Sequence, residues 1–425
     1  MASTPSTLLH IFLLLLQSHP SQQQQSSSLC PTDKVALLDI RSNLQDLPGS
    51  NFFSTWEFTR DPCATFAGVV CSSDDQHGKQ FLRVSVLTLG TGLADSPGLT
   101  GSLSPSLANI TALTDLVVYS GRISGPIPPD IGVRLRRLRR VSISNNPISG
   151  PIPVSLAGLP DLGQNKLRGP IPPLLLLPSS PSLKVLILVA NGGLTGEIPR
   201  EISAAQLLHL DLRGNSITGA LPPLPSTLRY LSASANALSG LLDAAFAAPL
   251  PDLAFLDLSM NAFTSRVPPA IFALPRLSSL LIQHSNLSGP LAVPPRREAS
   301  PSWAVVDLSH NMLSGEFPAA LAAAGSLYLN NNQLTGAVAE EVSRCLYRGS
   351  MTTLYAQHNY LTSFPAPPLT PPDSIALCLS YNCMSLPSAA AIARSLPGSI
   401  HFIFIGMCAG CATTLLRNHI FTIIP

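Results

Sequence analysis

Between about residue 100 and residue 384 the apolar positions follow one recurring frame. Its first half reads L-x-x-L-x-L-x-x-N, clearest at Leu207–Asn215 and Leu253–Asn261, with a worn copy at Val306–Asn311. Its second half reads as an apolar residue, Ser or Thr, Gly, and then an apolar-Pro pair, as in ISGPIP at 123–128 and 148–153, LTGEIP at 194–199 and LSGEFP at 313–318. The Asn of the frame recurs at Asn146, Asn165, Asn191, Asn215, Asn236, Asn261, Asn311, Asn332, Asn359 and Asn382, and Gly121 and Ser285 occupy its place in two copies. The mean spacing is about 24 residues, and the copies carrying Asn165 and Asn332 are shortened. The L-x-L alternation predicts a short strand with its Leu side chains inward. One such turn cannot bury its apolar face alone, so the copies must stack into a continuous core. At each Asn the chain leaves the strand inside the protein, where an amide can offer donors and an acceptor to the backbone of adjacent turns. The Gly permits close packing, and Ile-Pro starts an extended or short helical connection on the outer side. The expected architecture is an α/β right-handed solenoid of about 12–13 coils with a parallel concave sheet.

Composition narrows the function. Charged residues make up 11% of the chain, and the net charge of +2 gives no basic field for nucleic acid. No G-x-S-x-G, H-E-x-x-H, Walker or kinase signature is present, so no catalysis, cofactor or metal is expected. Cys408-x-x-Cys411 has no second ligand pair at zinc spacing. His284, His310 and His358 fall just before the Asn position or its Ser285 substitute, and Asp211, Asp257 and Asp307 fill the middle of L-D-L or V-D-L. The His are read as a common solvated position of the repeat and the Asp as frequent outward residues of its strand, rather than as chemistry.

The ends differ from the repeats. Residues 1–28 read as a signal peptide: Leu8–Leu16 is apolar but too short to span a bilayer, and a polar run follows to Ser28. Residues 29–80 read as an N-terminal cap, 81–387 as the solenoid and 388–425 as a divergent apolar tail. The apolar stretch 400–416 is shorter than the roughly 20 residues a spanning helix needs, so a membrane anchor is the alternative, not the expectation. The eight Cys lie near the two ends, as clasps on a secreted solenoid would.

The full frame resembles the plant class of leucine-rich repeat, shared by receptor-kinase ectodomains, receptor-like proteins and polygalacturonase-inhibiting proteins. Asp33–Ile40, Trp56 and the run Asp61–Cys71 are similar to the plant N-terminal cap. That resemblance implies a short helix and a strand tied by a Cys63–Cys71 disulfide. Asp46-Leu47-Pro48-Gly49-Ser50, Gly121-Arg122-Ile123 and Leu377–Met384 resemble a kinase-free, secreted plant group. The implied role is extracellular recognition in defence or development, in the apoplast or cell wall. The alternatives are inhibition of a wall-degrading hydrolase, or a membrane-anchored co-receptor without a kinase on the outer face of the plasma membrane. The implied partners are a protein or peptide on the concave face, a receptor kinase, or a cell-wall polysaccharide.

Tyr and Arg are frequent binding anchors. Among outward strand positions, Tyr328, Tyr355 and Tyr360 form the first-choice patch, with His358, Arg139, Arg140 and Arg213 as further binding candidates. The run Arg134–Arg140 could face a polyanion such as pectate, but a solvated rim with Leu135 and Leu138 inward is the favoured reading. Asn109 and Asn286 begin N-x-[ST] glycosylation sequons.

Overall fold

The computed structural model describes residues 28–384, apart from 77–78, 94, 155, 157–158, 178–182, 296–301, 366–371 and 373. The expected signal peptide, the 388–425 tail with its 400–416 stretch, and Cys408 and Cys411 lie outside the described residues. Helix α1 (Pro31–Asn43) opens the cap, with Pro31 at its first turn. A 14-stranded sheet follows, which forms the concave face. Its strands are β1 (Val69–Gln76), β2 (Lys79–Leu89), β3 (Asp115–Val118), β4 (Arg140–Ile143), β5 (Leu159–Asp161), β6 (Val185–Ile187) and β7 (His209–Asp211). They continue as β8 (Tyr230–Ser232), β9 (Phe255–Asp257), β10 (Ser279–Leu281), β11 (Val305–Asp307), β12 (Ser326–Tyr328), β13 (Thr353–Tyr355) and β14 (Ala376–Cys378). β1 and β2 pair antiparallel, and from β2 onward every neighbour is parallel. The boundary expected at residue 80 falls inside β2, so cap and array share one strand and one sheet. The apolar-Ser/Thr-Gly segments make shorter sheets of six, three and four strands. Pairing runs on in register through both shortened copies.

The inward Leu of each strand is buried, as at Leu186, Leu210, Leu231, Leu256, Leu280, Leu327 and Leu354, and these belong to one continuous core. The Asn positions hold the coils together by a repeated hydrogen-bond pattern. Asn261 Nδ2 donates to the carbonyls of Leu258 and Ser259 in its own coil and to Ala233 in the preceding coil. Its Oδ1 accepts from the Leu238 N–H. The same pattern recurs at Asn215, Asn236, Asn311, Asn332, Asn359 and Asn382. Each amide therefore satisfies backbone groups that the inner turn would otherwise leave buried and unpaired.

The two substitutes in this series differ. An added Cβ at Gly121 would sit 2.6 Å from the Leu99 carbonyl oxygen, so no side chain fits there without moving backbone. Ser285 is buried, yet its hydroxyl has no hydrogen-bond partner among the described residues. Its shorter side chain does not make the amide contacts of its neighbours.

The cap is fixed by charge and rings. Asp33 and Arg83 are both buried and meet in a two-pronged ion pair of 2.9 and 3.0 Å. Asp33 also accepts from the Val84 N–H, and Arg83 donates to Thr111. α1 is thereby tied to β2. The Asp46–Ser50 phrase gains a local reason: the Asp46 carboxylate accepts from Ser50 Oγ and from the N–H groups of Phe52 and Phe53. Those Phe pack with Trp56, which stacks on Phe66 at 4.9 Å. Cys63 and Cys71 are joined by a disulfide, as the resemblance implied. Cys30, Cys345 and Cys378 are free thiols and half-buried, and Cys383 is disulfide-bonded.

Three substitutions test these contacts. Asp33→Ala strands the buried Arg83 guanidinium and should cost about 3–5 kcal/mol in urea unfolding; a loss near zero would mean that the pair is not buried in solution. Ser285→Asn should complete the missing rung and add about 1 kcal/mol. The same residue placed at Gly121 should destabilise, by about 1–3 kcal/mol, because of the Leu99 clash. Thermal melts of the two variants moving in the same direction would contradict this account.

Candidate functional site

Parallel, in-register pairing places the same repeat position of successive coils side by side. Neighbouring strands lie about 4.8 Å apart, close to the contact distance of stacked rings. The outward residues of the concave sheet therefore form straight columns. In the first column His209, Tyr230 and Phe255 are register partners on β7, β8 and β9. Their rings are parallel, with centroids 4.1 Å and 4.5 Å apart and planes within 1° and 5°. Each is half-buried, so the stack shows its edges to solvent. The column then continues through Ser279 and Val305.

The second column reads Asp161, Ile187, Asp211, Ser232, Asp257, Leu281, Asp307, Tyr328, Tyr355. A carboxylate thus stands on every second strand from β5 to β11. Asp211 is paired with Arg213 at 3.1 Å. Burial pushes the Asp211 carboxyl up from its ordinary value, against the Arg213 N–H and guanidinium, which pull it down. Asp257 accepts from the Ser259 N–H and hydroxyl and from Ser232; Asp307 accepts from the Ser309 N–H and hydroxyl. These three Asp point to the concave side, as the alternation predicts, and their neighbours there bury Asp211 and Asp257.

A third column runs along the rim, just before each Asn. Asn145, Gln164, Ala190, Ala235, Met260, His284, His310, Asn331, His358 and Tyr381 all take φ between +52° and +56°, and Gly214 takes +70°. This left-handed conformation turns the chain out of the strand and projects the side chain outward. His284 stacks on His310 at 4.0 Å, and His358 on Tyr381 at 4.3 Å. The His310 ring also bonds to the side-chain amides of Asn330 and Asn331.

The first-choice patch divides. Tyr328 and Tyr355 meet edge to face at 5.3 Å on the concave sheet, and His358 stands on the rim beside them. Tyr360 does not belong there: it begins the outer strand Tyr360–Ser363, in the four-stranded sheet. The count of residues after Asn359 places it past the turn, which the linear run of aromatics obscured. Arg213 is on the concave face, held by Asp211. Arg139 and Arg140 are exposed at the start of β4. Leu135 and Leu138 are buried while the surrounding Arg are exposed, and Arg137 bonds to Asp74 at 3.3 Å. Asn109 is half-buried, and Asn286 is exposed at the start of an outer segment. The stack of His209, Tyr230 and Phe255 was not singled out in the sequence, although aligning the copies puts three rings at one repeat position.

The fold is a leucine-rich-repeat solenoid with an N-terminal cap. The leucine rich repeat N-terminal domain matches residues 30–72, and the leucine rich repeat matches 137–159 and 206–228. The chain is 28% identical to receptor-like protein 32 of Arabidopsis thaliana over 262 residues, 53% of this chain and 29% of that one. Its fold is similar to the crystal structure of PEPR1–AtPEP1, with a TM-score of 0.62 and 25% identity, covering 88% of this chain and 56% of that one. It is also similar to the plant peptide hormone receptor RGFR1 in complex with RGF2, with a TM-score of 0.53 and 26% identity, covering 70% and 56%. The chain spans under a third of the length of the curated plant relatives it matches. Among the described residues no helix is long and apolar enough to cross a membrane.

The imidazoles give this face a pH dependence. Burial lowers His209 below its ordinary 6.5, against the pull of Asp211. Burial lowers His310 as well, reinforced by His284. Between the folded value and 6.5 the unfolded chain binds more protons. The stability these rings contribute is whole above about 6.5 and is lost as pH falls through it. Asp211 acts with the opposite sign, since protonation there favours the fold. The melting temperature should fall from about pH 7.5 to about pH 5, and a His209→Gln/His310→Gln variant should flatten the slope. An unchanged slope in that variant would remove these two rings as the cause.

Proposed function

We propose that the chain recognises a peptide or protein outside the cell through its concave face, in defence or development signalling, without catalysis of its own. The observation that carries this reading is the ordering of outward side chains into aromatic and acidic columns. Stacking one coil on the next rests on the inward Leu and the Asn series. The stacked His209, Tyr230 and Phe255, the paired Tyr328 and Tyr355, and the row of Asp lie on the side that faces away from the core. Rigid rings with polar edges, fixed on strands, lose little entropy on binding and suit an extended partner. The similarity to RGFR1, a plant peptide hormone receptor, supports a peptide as the partner class.

The test is expression of the full chain with a tag in plant cells, followed by cross-linking and recovery from wall fluid and from detergent extracts. A partner should be captured by the native chain, and its yield should fall about tenfold in the Tyr230→Ala/Tyr355→Ala variant, which removes two interfacial rings. Leu241→Ser, on the outer side and exposed, should leave capture unchanged. Equal capture by all three chains would sink the concave-face reading.

A further inference from the structure

One coil of the concave face interrupts the aromatic column. On β10 the first column carries Ser279, the second Leu281, and the position two residues further on is Gln283. The aromatic stack ends one strand earlier, at Phe255, whose only ring neighbour among the described residues is Tyr230. The far face of Phe255 therefore looks across the small Ser279 toward Val305 on β11. Phe255 and Val305 are two strand spacings apart, about 9.6 Å, with the intervening position nearly empty of side chain. The ring centroids inside the stack are 4.1 and 4.5 Å apart, so one further ring fits over Ser279 and continues it.

The charges beside this notch fit the same occupant. Leu281 lies between Asp257 and Asp307 in the second column. Unlike Asp211, neither carboxylate has a cation within ion-pair distance among the described residues. Their partners are hydroxyl and amide donors, which hold the carboxylates in place without neutralising them. Gln283 on the same coil has a buried Oε1 with no hydrogen-bond partner. An open ring face, an apolar floor and two uncompensated carboxylates thus converge on β10.

Building on the peptide-recognition reading above, we propose that the face over β9, β10 and β11 is the docking site for a peptide segment that carries an aromatic and a basic side chain next to each other. The aromatic ring enters the notch over Ser279 against Phe255. The Arg or Lys head lies over Leu281, with its stem on that side chain and its charge between Asp257 and Asp307. The two positions are two residues apart along a strand, about 6.8 Å, within reach of neighbouring side chains of an extended ligand.

The test is selection of a random peptide library displayed on phage against the full chain, with the selected peptides then synthesised and titrated. Peptides with an aromatic residue beside Arg or Lys should be enriched. Ser279→Trp fills the notch from an outward, half-buried position and should weaken them about tenfold, the value of one lost ring pair with its buried area. Asp257→Asn/Asp307→Asn keeps the hydroxyl contacts and should remove the preference for the basic residue while leaving that for the aromatic one. Thermal melts of each variant separate loss of binding from loss of fold. Enrichment of peptides without this pair, bound equally well by Ser279→Trp, overturns the inference while peptide recognition stands. Enrichment of no peptide overturns both.

Discussion

The contact on which the molecule rests is the amide of the repeated Asn. A coil of about 24 residues folds back on itself and must carry its backbone through the interior twice, where each unpaired amide costs about 1–3 kcal/mol. The Asn side chain resolves this by binding carbonyls of its own coil and of the one before, and by accepting an N–H in return. Because each rung touches two coils, it also fixes their register. The Leu of every strand then meet in one core, and the outward residues fall into columns. The concave face is thus ordered by hydrogen bonds made at the inner turns.

The cap solves a separate problem. The first coil of a stack has one unprotected side, and here α1 covers it. The ion pair from Asp33 to Arg83 places that helix with angular definition, since two parallel hydrogen bonds fix a guanidinium in one plane. The antiparallel β1–β2 hairpin then caps the parallel array, so the first parallel strand has a partner on each side. Cap and array are thereby one continuous body.

The fold was legible because its cause is periodic. The spacing of Leu, Asn and Gly defined the strand, the inner turn and the outer sheet, and even the odd copies at Gly121 and Ser285 could be located. The site was less legible for a geometric reason. Which outward residues touch depends on register between coils, and copies of unequal length put equal repeat positions at unequal sequence distances. Tyr355 and Tyr360 are close in sequence yet sit on different sheets, while His209, Tyr230 and Phe255 are 21 and 25 residues apart and stack. Arg83 gave no sign of its buried partner, because a single Arg in a strand is ordinarily read as exposed. The likeness of Asp211, Asp257 and Asp307 in the sequence likewise hid that only Asp211 has its own counter-charge.

The left-handed residue before each Asn sets terms for how such a surface can change over generations. A side chain branched at Cβ is the poorest fit for that backbone, and the described copies carry Asn, Gln, Ala, Gly, Met, His and Tyr there, with no Val, Ile or Thr. The rim can therefore exchange among polar, aromatic and thioether groups at little cost to the coil, while a whole class of substitutions is closed to it. Selection for a new partner has a restricted alphabet along this edge and a freer one on the strands beside it, so the two parts of the face should diverge at different rates.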